Sequence, residues 1–82
     1  MEEKFDVTVA NIIAPVLIPL APKLASYTKS GGKVALSGVL AFQVGAVISA
    51  FQPYFDNLCV EDAEGEWVLI TGVRKIQCGM YA

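Results

Sequence analysis

Few residues in this chain can do chemistry, and the most conspicuous is an amide. In "FDVTVANIIAP", Phe5 to Pro15, an apolar and β-branched run reaches Asn11 and then continues as two isoleucines, an alanine and a proline. Asparagine is a poor strand residue beside Val7, Val9, Ile12 and Ile13, so it closes the strand in a turn and caps the helix at Pro15, or reaches out of a sheet toward a ligand. Its side chain can accept and donate hydrogen bonds, and so orient a polar group, but an amide cannot remove a proton. Ser37 closes a second apolar run and reads first as a strand-end hydroxyl. The acids of "EDAEGE", Glu61 to Glu66, read as a solvated turn, not as paired catalytic carboxylates. Cys59 and Cys78 form neither a CxxC metal motif nor a disulfide framework, and read as idle thiols in a reducing compartment. The chain has no histidine, which removes Ser-His-Asp and Cys-His catalysis and most zinc sites. No metal site is expected.

The totals set bounds on what can position these groups. Eighty-two residues suffice for one small domain, which buries roughly 60–65% of the surface its unfolded chain exposes. The hydrophobic share is 55%, above the roughly 45–50% of ordinary globular chains. Such an excess suits a sheet buried on both faces, or surface meant for a missing partner. A net charge of -2 with six scattered basic residues argues against direct nucleic-acid binding, which needs clustered Lys and Arg. The start, "MEEKFD", is acidic and shows no export or transit pattern. Val34 to Phe55 carries no charge and is long enough to span a bilayer. Ser37, Gly38, Gln43, Gly45, Ser49, Gln52 and Pro53 dilute it, and its change from β-branched to helical period favours a strand and a helix over a membrane span.

Element by element, Phe5 to Ile13 reads as a strand apolar nearly throughout, the look of a parallel strand covered on both faces. Pro15 suits the first turn of a helix, with Val16, Leu17, Leu20, Ala21, Leu24 and Thr28 at helical spacing. Pro19 and Pro22 break it, leaving a firm part from Pro22 to Tyr27. "TKSGGK", Thr28 to Lys33, reads as a helix stop and turn, and Lys33 to Leu40 as a second strand. Val44, Val47, Ile48, Phe51 and Phe55 share one helical face, with Pro53 near its end. "NLCVEDAEGEWVLITGVRK" reads as two antiparallel strands around the acidic turn, with Gly65 supplying backbone freedom and Trp67 as a packing residue. Ile76 to Ala82 reads as a tail. The expected class is α/β, in the order β-α-β-α-β-β.

That order, the "FDVTVANIIA" strand end, the "LAPKLASYTKSGGKVALSGVL" block and the closing "EGEWVLITGVRK" together resemble the C-terminal half of the PrmA-type methyltransferases. The resemblance covers residues 5 to 75. It implies a partial Rossmann-like class I methyltransferase domain over residues 1–75, followed by a tail at 76–82. The final strand would run antiparallel between the two before it in the fold. It also implies S-adenosylmethionine as methyl donor and a protein of the large ribosomal subunit as substrate, methylated on lysine or N-terminal amine. The family's N-I/L-x-A motif corresponds to Asn11, Ile12, Ile13 and Ala14. By that likeness Asn11 orients the substrate amine, and Asn11 and Ile12 border the donor.

Methyl transfer needs a neutral nitrogen aimed at the sulfonium methyl. For a lysine, neutrality at pH 7 costs about 4.6 kcal/mol, and for an α-amino group about 1 kcal/mol. The family's first strand, glycine-rich loop and ribose-binding acid have no counterpart here. "SGG" at Ser30 to Gly32 follows a helix, unlike a cofactor loop. The resemblance therefore implies half of a donor site, completed by a missing N-terminal half, and an isolated chain without activity. The alternative is a non-catalytic interaction module that pairs its open sheet edge with a partner or with itself. The expected compartment is cytoplasm, or chloroplast or mitochondrion if a targeting segment precedes Met1, and no membrane association is expected.

Overall fold

The computed structural model describes residues 4–76. The tail expected at 76–82 therefore lies, beyond Ile76, outside the described residues, as does Cys78. Strand β1 spans Phe5–Asn11. Helix α1, Ala14–Leu17, a 3-10 turn at Ile18–Leu20 and helix α2, Ala21–Tyr27, follow. Strand β2 is Thr28–Leu40, and a 3-10 turn at Ala41–Gln43 leads into helix α3, Val44–Phe51. Strands β3, Phe55–Glu64, and β4, Trp67–Arg74, complete the fold. The sheet order is β1-β2-β4-β3. β1 and β2 are parallel, whereas β4 runs antiparallel to both β2 and β3.

The prolines segment the first crossover as their chemistry requires. Pro15, Pro19 and Pro22 each fall in the opening turn of a short helical piece, where the missing N–H is not needed. β1 stops at Asn11, two residues earlier than expected. Ile12 still donates its N–H to the Ser37 carbonyl at 3.2 Å, but Ile13, at φ -64 and ψ 149, already precedes the helix.

Thr28 to Lys33 is a bulged part of β2, not a turn ahead of it. Phe5 faces Thr28 and Val7 faces Lys33, so two steps along β1 oppose five along β2. Gly31 adopts φ +80, and a Cβ on Gly32 would meet the Asp6 carbonyl oxygen at 2.8 Å and that of Lys29 at 2.9 Å. The glycines thus fold the extra residues out of the ladder without ending it. Thr28, 1% exposed, donates its hydroxyl to the Leu24 carbonyl at 2.8 Å. Its oxygen then accepts from the Thr8 hydroxyl, also at 2.8 Å. The end of α2 is thereby tied to two strands.

The charge-free stretch splits as its period suggests into the end of β2 and α3, and no described helix is long and apolar enough to cross a membrane. Phe55 opens β3 instead of continuing the helical face. The chain turns after Phe51 around Pro53, and the two rings meet with centroids 5.8 Å apart. β3 also runs on through the acidic stretch to Glu64. The turn is only Gly65 and Glu66, with φ +62 at Gly65 and Glu64 paired with Trp67 across it, as a two-residue hairpin needs.

Leu17, Ala21 and Ala25 from the first helices and Val47 and Phe51 from α3 pack on Val34, Leu36, Val39, Val68 and Ile70 of the central strands. These strand residues alternate with more exposed neighbours, so one face of the sheet is covered. The other is not: Val7 and Val9 on edge strand β1 are 55% and 71% exposed. Two-sided burial, expected from the apolar run, is not realised among the described residues, where the hydrophobic excess appears as bare sheet.

Candidate functional site

The parallel pair β1 and β2 ends with Asn11 opposite Ser37. Beyond these carboxyl ends lies a cleft of about 510 Å³, bounded by Asn11, Ile13, Ser37 and Gly38 on one side and by Asp62, Glu64 and Trp67 of the hairpin on the other. The carboxyl ends of parallel strands are where open α/β sheets place their ligands.

Asn11 is exposed. The residue capping α1 is Ile13, and no side chain bonds to that helix start, so Asn11 does not act as a helix cap. Among the described residues its amide has no hydrogen-bond partner, which leaves both oxygen and NH₂ free to engage a ligand. A second irregularity in β2 sets its neighbourhood. The register with β4 shifts between Leu36 and Val39, and Gly38, inside that shift, takes φ +82. A Cβ there would lie 3.0 Å from Asn11 Oδ1 and 3.0 Å from the Ile12 carbonyl oxygen. Glycine at this bulge is thus what lets the backbone of β2 pass close to the amide.

The two residues of the motif that follow part ways. Ile12 packs against the core and does not line the cleft, whereas Ile13 does. Ser37 lies on the crevice side. Trp67, expected as a packing residue on the hairpin, is 52% exposed and lines the same cleft as Asn11. Sequence reasoning missed it, and the only signal was a tryptophan directly after a turn, where few neighbours can cover it. The acids are solvent-exposed as expected, but Asp62 and Glu64 stand on β3 at the cleft, and among the described residues no Lys or Arg lines it. Among the described residues no group of three or more His, Cys, Asp or Glu side chains could hold a metal ion. Cys59 is a free, exposed thiol on β3, away from the cleft.

The cleft offers an unengaged amide, a close backbone approach and an exposed indole. The groups that hold a ribose and adenine, a glycine-rich strand-to-helix turn and a following acid, are not among the cleft residues.

Known proteins share this sequence and fold. A model of the family "Ribosomal protein L11 methyltransferase (PrmA)" matches residues 1–75. The ribosomal protein L11 methyltransferase of Azotobacter vinelandii is 49% identical over 70 residues, 85% of this chain and 24% of that protein. That of Hahella chejuensis is 49% identical over 73 residues, 89% of this chain and 25% of that protein. The crystal structure of a ribosomal protein L11 methylase from Lactobacillus delbrueckii subsp. bulgaricus superposes with a TM-score of 0.79 at 32% identity, covering 92% of this chain and 39% of that one. The chain thus spans about a quarter of the length of the curated relatives it matches. With nearly its whole length inside the family model and its fold shared with a solved L11 methylase, the chain belongs to the ribosomal protein L11 methyltransferase (PrmA) family.

Proposed function

We propose that this chain is the C-terminal half of a Rossmann-like class I methyltransferase domain. In the complete domain it orients an amine of a ribosomal protein, a lysine or an N-terminal amine, for methylation by S-adenosylmethionine. The observation that carries the reading is the unpartnered Asn11 amide at the carboxyl ends of two parallel strands. The insertion of β4 antiparallel between β2 and β3 supports it, being the strand order the resemblance implies. When bound, the donor supplies the sulfonium methyl group. Asn11 Oδ1 accepts a hydrogen bond from the substrate amine and so turns the nitrogen lone pair toward the cleft. The Trp67 wall excludes water on the opposite side. The titratable side chains that line the cleft are the carboxylates of Asp62 and Glu64, which are far weaker bases than an amine, so the amine loses its proton before it reaches Asn11.

Half of the donor site belongs to the part of the family fold that precedes these strands, and the isolated chain is inactive. Two measurements test this. Calorimetric titration of the 82-residue chain with S-adenosylmethionine is expected to show no micromolar binding, and such binding would refute the incomplete donor site. Grafting residues 4–75 in place of the matching segment of the Azotobacter vinelandii relative is expected to retain methylation of the ribosomal protein. Asn11→Ala in that graft should lower kcat by about tenfold or more, and an unchanged kcat would remove Asn11 from the mechanism.

A second reading has one observation in its favour. Among the described residues β1 has a neighbouring strand on one side only, and its Phe5, Val7 and Val9 are exposed, as an interaction module pairing through its edge requires. A concentration-dependent dimer in sedimentation, abolished by Val7→Lys, would support it. A monomer at all concentrations would exclude pairing with itself.

A further inference from the structure

A second polar side chain without a partner stands beside Asn11. Ser37 lies directly opposite it in the parallel register of β1 and β2, and both line the cleft. Ser37 follows the buried Leu36 as Asn11 follows the buried Ala10, and successive strand residues alternate between faces. Both side chains therefore lie on the sheet face that the helices leave bare. Among the described residues the Ser37 hydroxyl, like the Asn11 amide, forms no hydrogen bond. Its backbone is held: the Ser37 carbonyl accepts the Ile12 N–H at 3.2 Å. Ser37 and Gly38 fall between Leu36, which faces Ile70, and Val39, which faces Val68, so two residues of β2 oppose Leu69 alone. A bulge of this kind re-aims a side chain at the rim of a sheet.

We propose that the Ser37 hydroxyl is the second acceptor for the substrate amine, and with Asn11 fixes the direction of its lone pair. The inference rests on the reading of the cleft as a methyl-transfer site. A neutral primary amine carries two N–H groups and one lone pair. One hydrogen bond, to Asn11 Oδ1, leaves the nitrogen free to turn about that bond, and a second removes this freedom. Two N–H···O bonds of about 2.9 Å at a tetrahedral nitrogen put their acceptors about 4.7 Å apart, close to the spacing of neighbouring strands, about 4.8 Å. Opposed residues on β1 and β2 start from that spacing. Both acceptors are uncharged, so neither holds a proton on the nitrogen as a carboxylate in contact with it would. With both N–H groups engaged, the lone pair forms the new N–C bond as the sulfonium C–S bond breaks. The C–S electron pair stays on sulfur, and the methylated nitrogen releases a proton to water.

The test uses the graft of residues 4–75 in the Azotobacter vinelandii relative, with the ribosomal protein as substrate. Ser37→Ala is expected to lower the single-turnover rate at saturating S-adenosylmethionine about tenfold, without raising KM for the donor. Ser37→Thr keeps the oxygen and should stay within about threefold of the parent graft, whereas Ser37→Val, with the shape of threonine but no hydroxyl, should fall with Ser37→Ala. The Thr and Val variants are matched in volume, so a packing change common to both does not hide the result. A monomethylated amine keeps one N–H, which Asn11 alone can accept. Mass spectrometry of the product should therefore show the Ser37→Ala defect at the first methyl and not at a second. Equal rates for Ser37→Thr and Ser37→Val, an unchanged rate in Ser37→Ala, a loss confined to KM for the donor, or an equal loss at the first and second methyl would overturn the proposal. Asn11→Ala in the same graft decides the methyl-transfer reading separately: if it is impaired while the Ser37 variants are not, methyl transfer stands and the second acceptor falls.

Discussion

Gly38 leaves open the space beside the Asn11 amide: a Cβ on Gly38, at φ +82, would sit 3.0 Å from Asn11 Oδ1. The bulge at the end of β2 and the amide at the end of β1 are therefore one structural unit. An L side chain at Gly38 would have both to occupy the left-handed region and to push on Asn11 and the Ile12 carbonyl. Gly38→Ala is expected to cost about 1–3 kcal/mol of stability, measured by urea unfolding. The Asn11 side-chain NH₂ resonances should shift in the same variant, and unmoved resonances would mean that the bulge absorbs the methyl group without touching the amide.

Asn11 itself should contribute little to folding. Loss of a helix cap costs typically about 1 kcal/mol, but α1 is preceded by Ile13 and no side chain bonds to its start. Asn11→Ala is therefore expected to change stability by less than about 0.5 kcal/mol in urea unfolding. A loss near 1 kcal/mol, about the worth of a cap, would restore the capping role that the geometry denies.

Thr28 is the buried polar residue whose bonds join α2 to the sheet. Thr28→Val removes the donor to the Leu24 carbonyl and leaves the Thr8 hydroxyl without its acceptor, for an expected loss of about 1–3 kcal/mol. Because Thr8 and Thr28 share one bond, the Thr8→Val/Thr28→Val pair should be less destabilising than the sum of its single changes. A double-mutant cycle by denaturant unfolding measures this, and strict additivity would show that the 2.8 Å contact is energetically idle.

Arg74 closes the domain from the other end of the sheet. Its Nε donates to the Ala25 carbonyl at 2.9 Å and Nη1 to the Tyr54 carbonyl at 3.3 Å, which bridges α2 and the turn before β3. Lysine offers a single flexible ammonium in place of a planar fork, so Arg74→Lys should recover only part of the roughly 1.5–3 kcal/mol expected to be lost in Arg74→Ala. Thermal unfolding of the two variants compares them directly. If Arg74→Lys proves as stable as the wild-type chain, the contact reduces to one of charge.

The proline pattern made the broken first helix legible, because each ring removes an N–H and fixes φ wherever it stands. The change from β-branched to helical spacing likewise separated β2 from α3 without any membrane span. Where expectation and structure part, a non-local pairing decides. "TKSGGK" has the composition of a turn, yet Phe5 holds Thr28 in the ladder and makes the stretch a bulge. "EDAEGE" also looks like a turn, yet Trp67 pairs with Glu64 and draws all but its last two residues into β3.

The candidate site divides in the same way. That Asn11 stands at the end of a strand followed by a helix is written in a few neighbouring residues, because backbone preference is local. That Trp67, Asp62 and Glu64 face it across a cleft is not, because it depends on β4 entering the sheet between β2 and β3 and on a bulge at Gly38 that brings β2 against the amide. The apolar run of β1 was equally silent about how many of its faces are covered: hydrophobicity records that a surface avoids water, and only the packed helices show which face this chain covers and which it leaves bare.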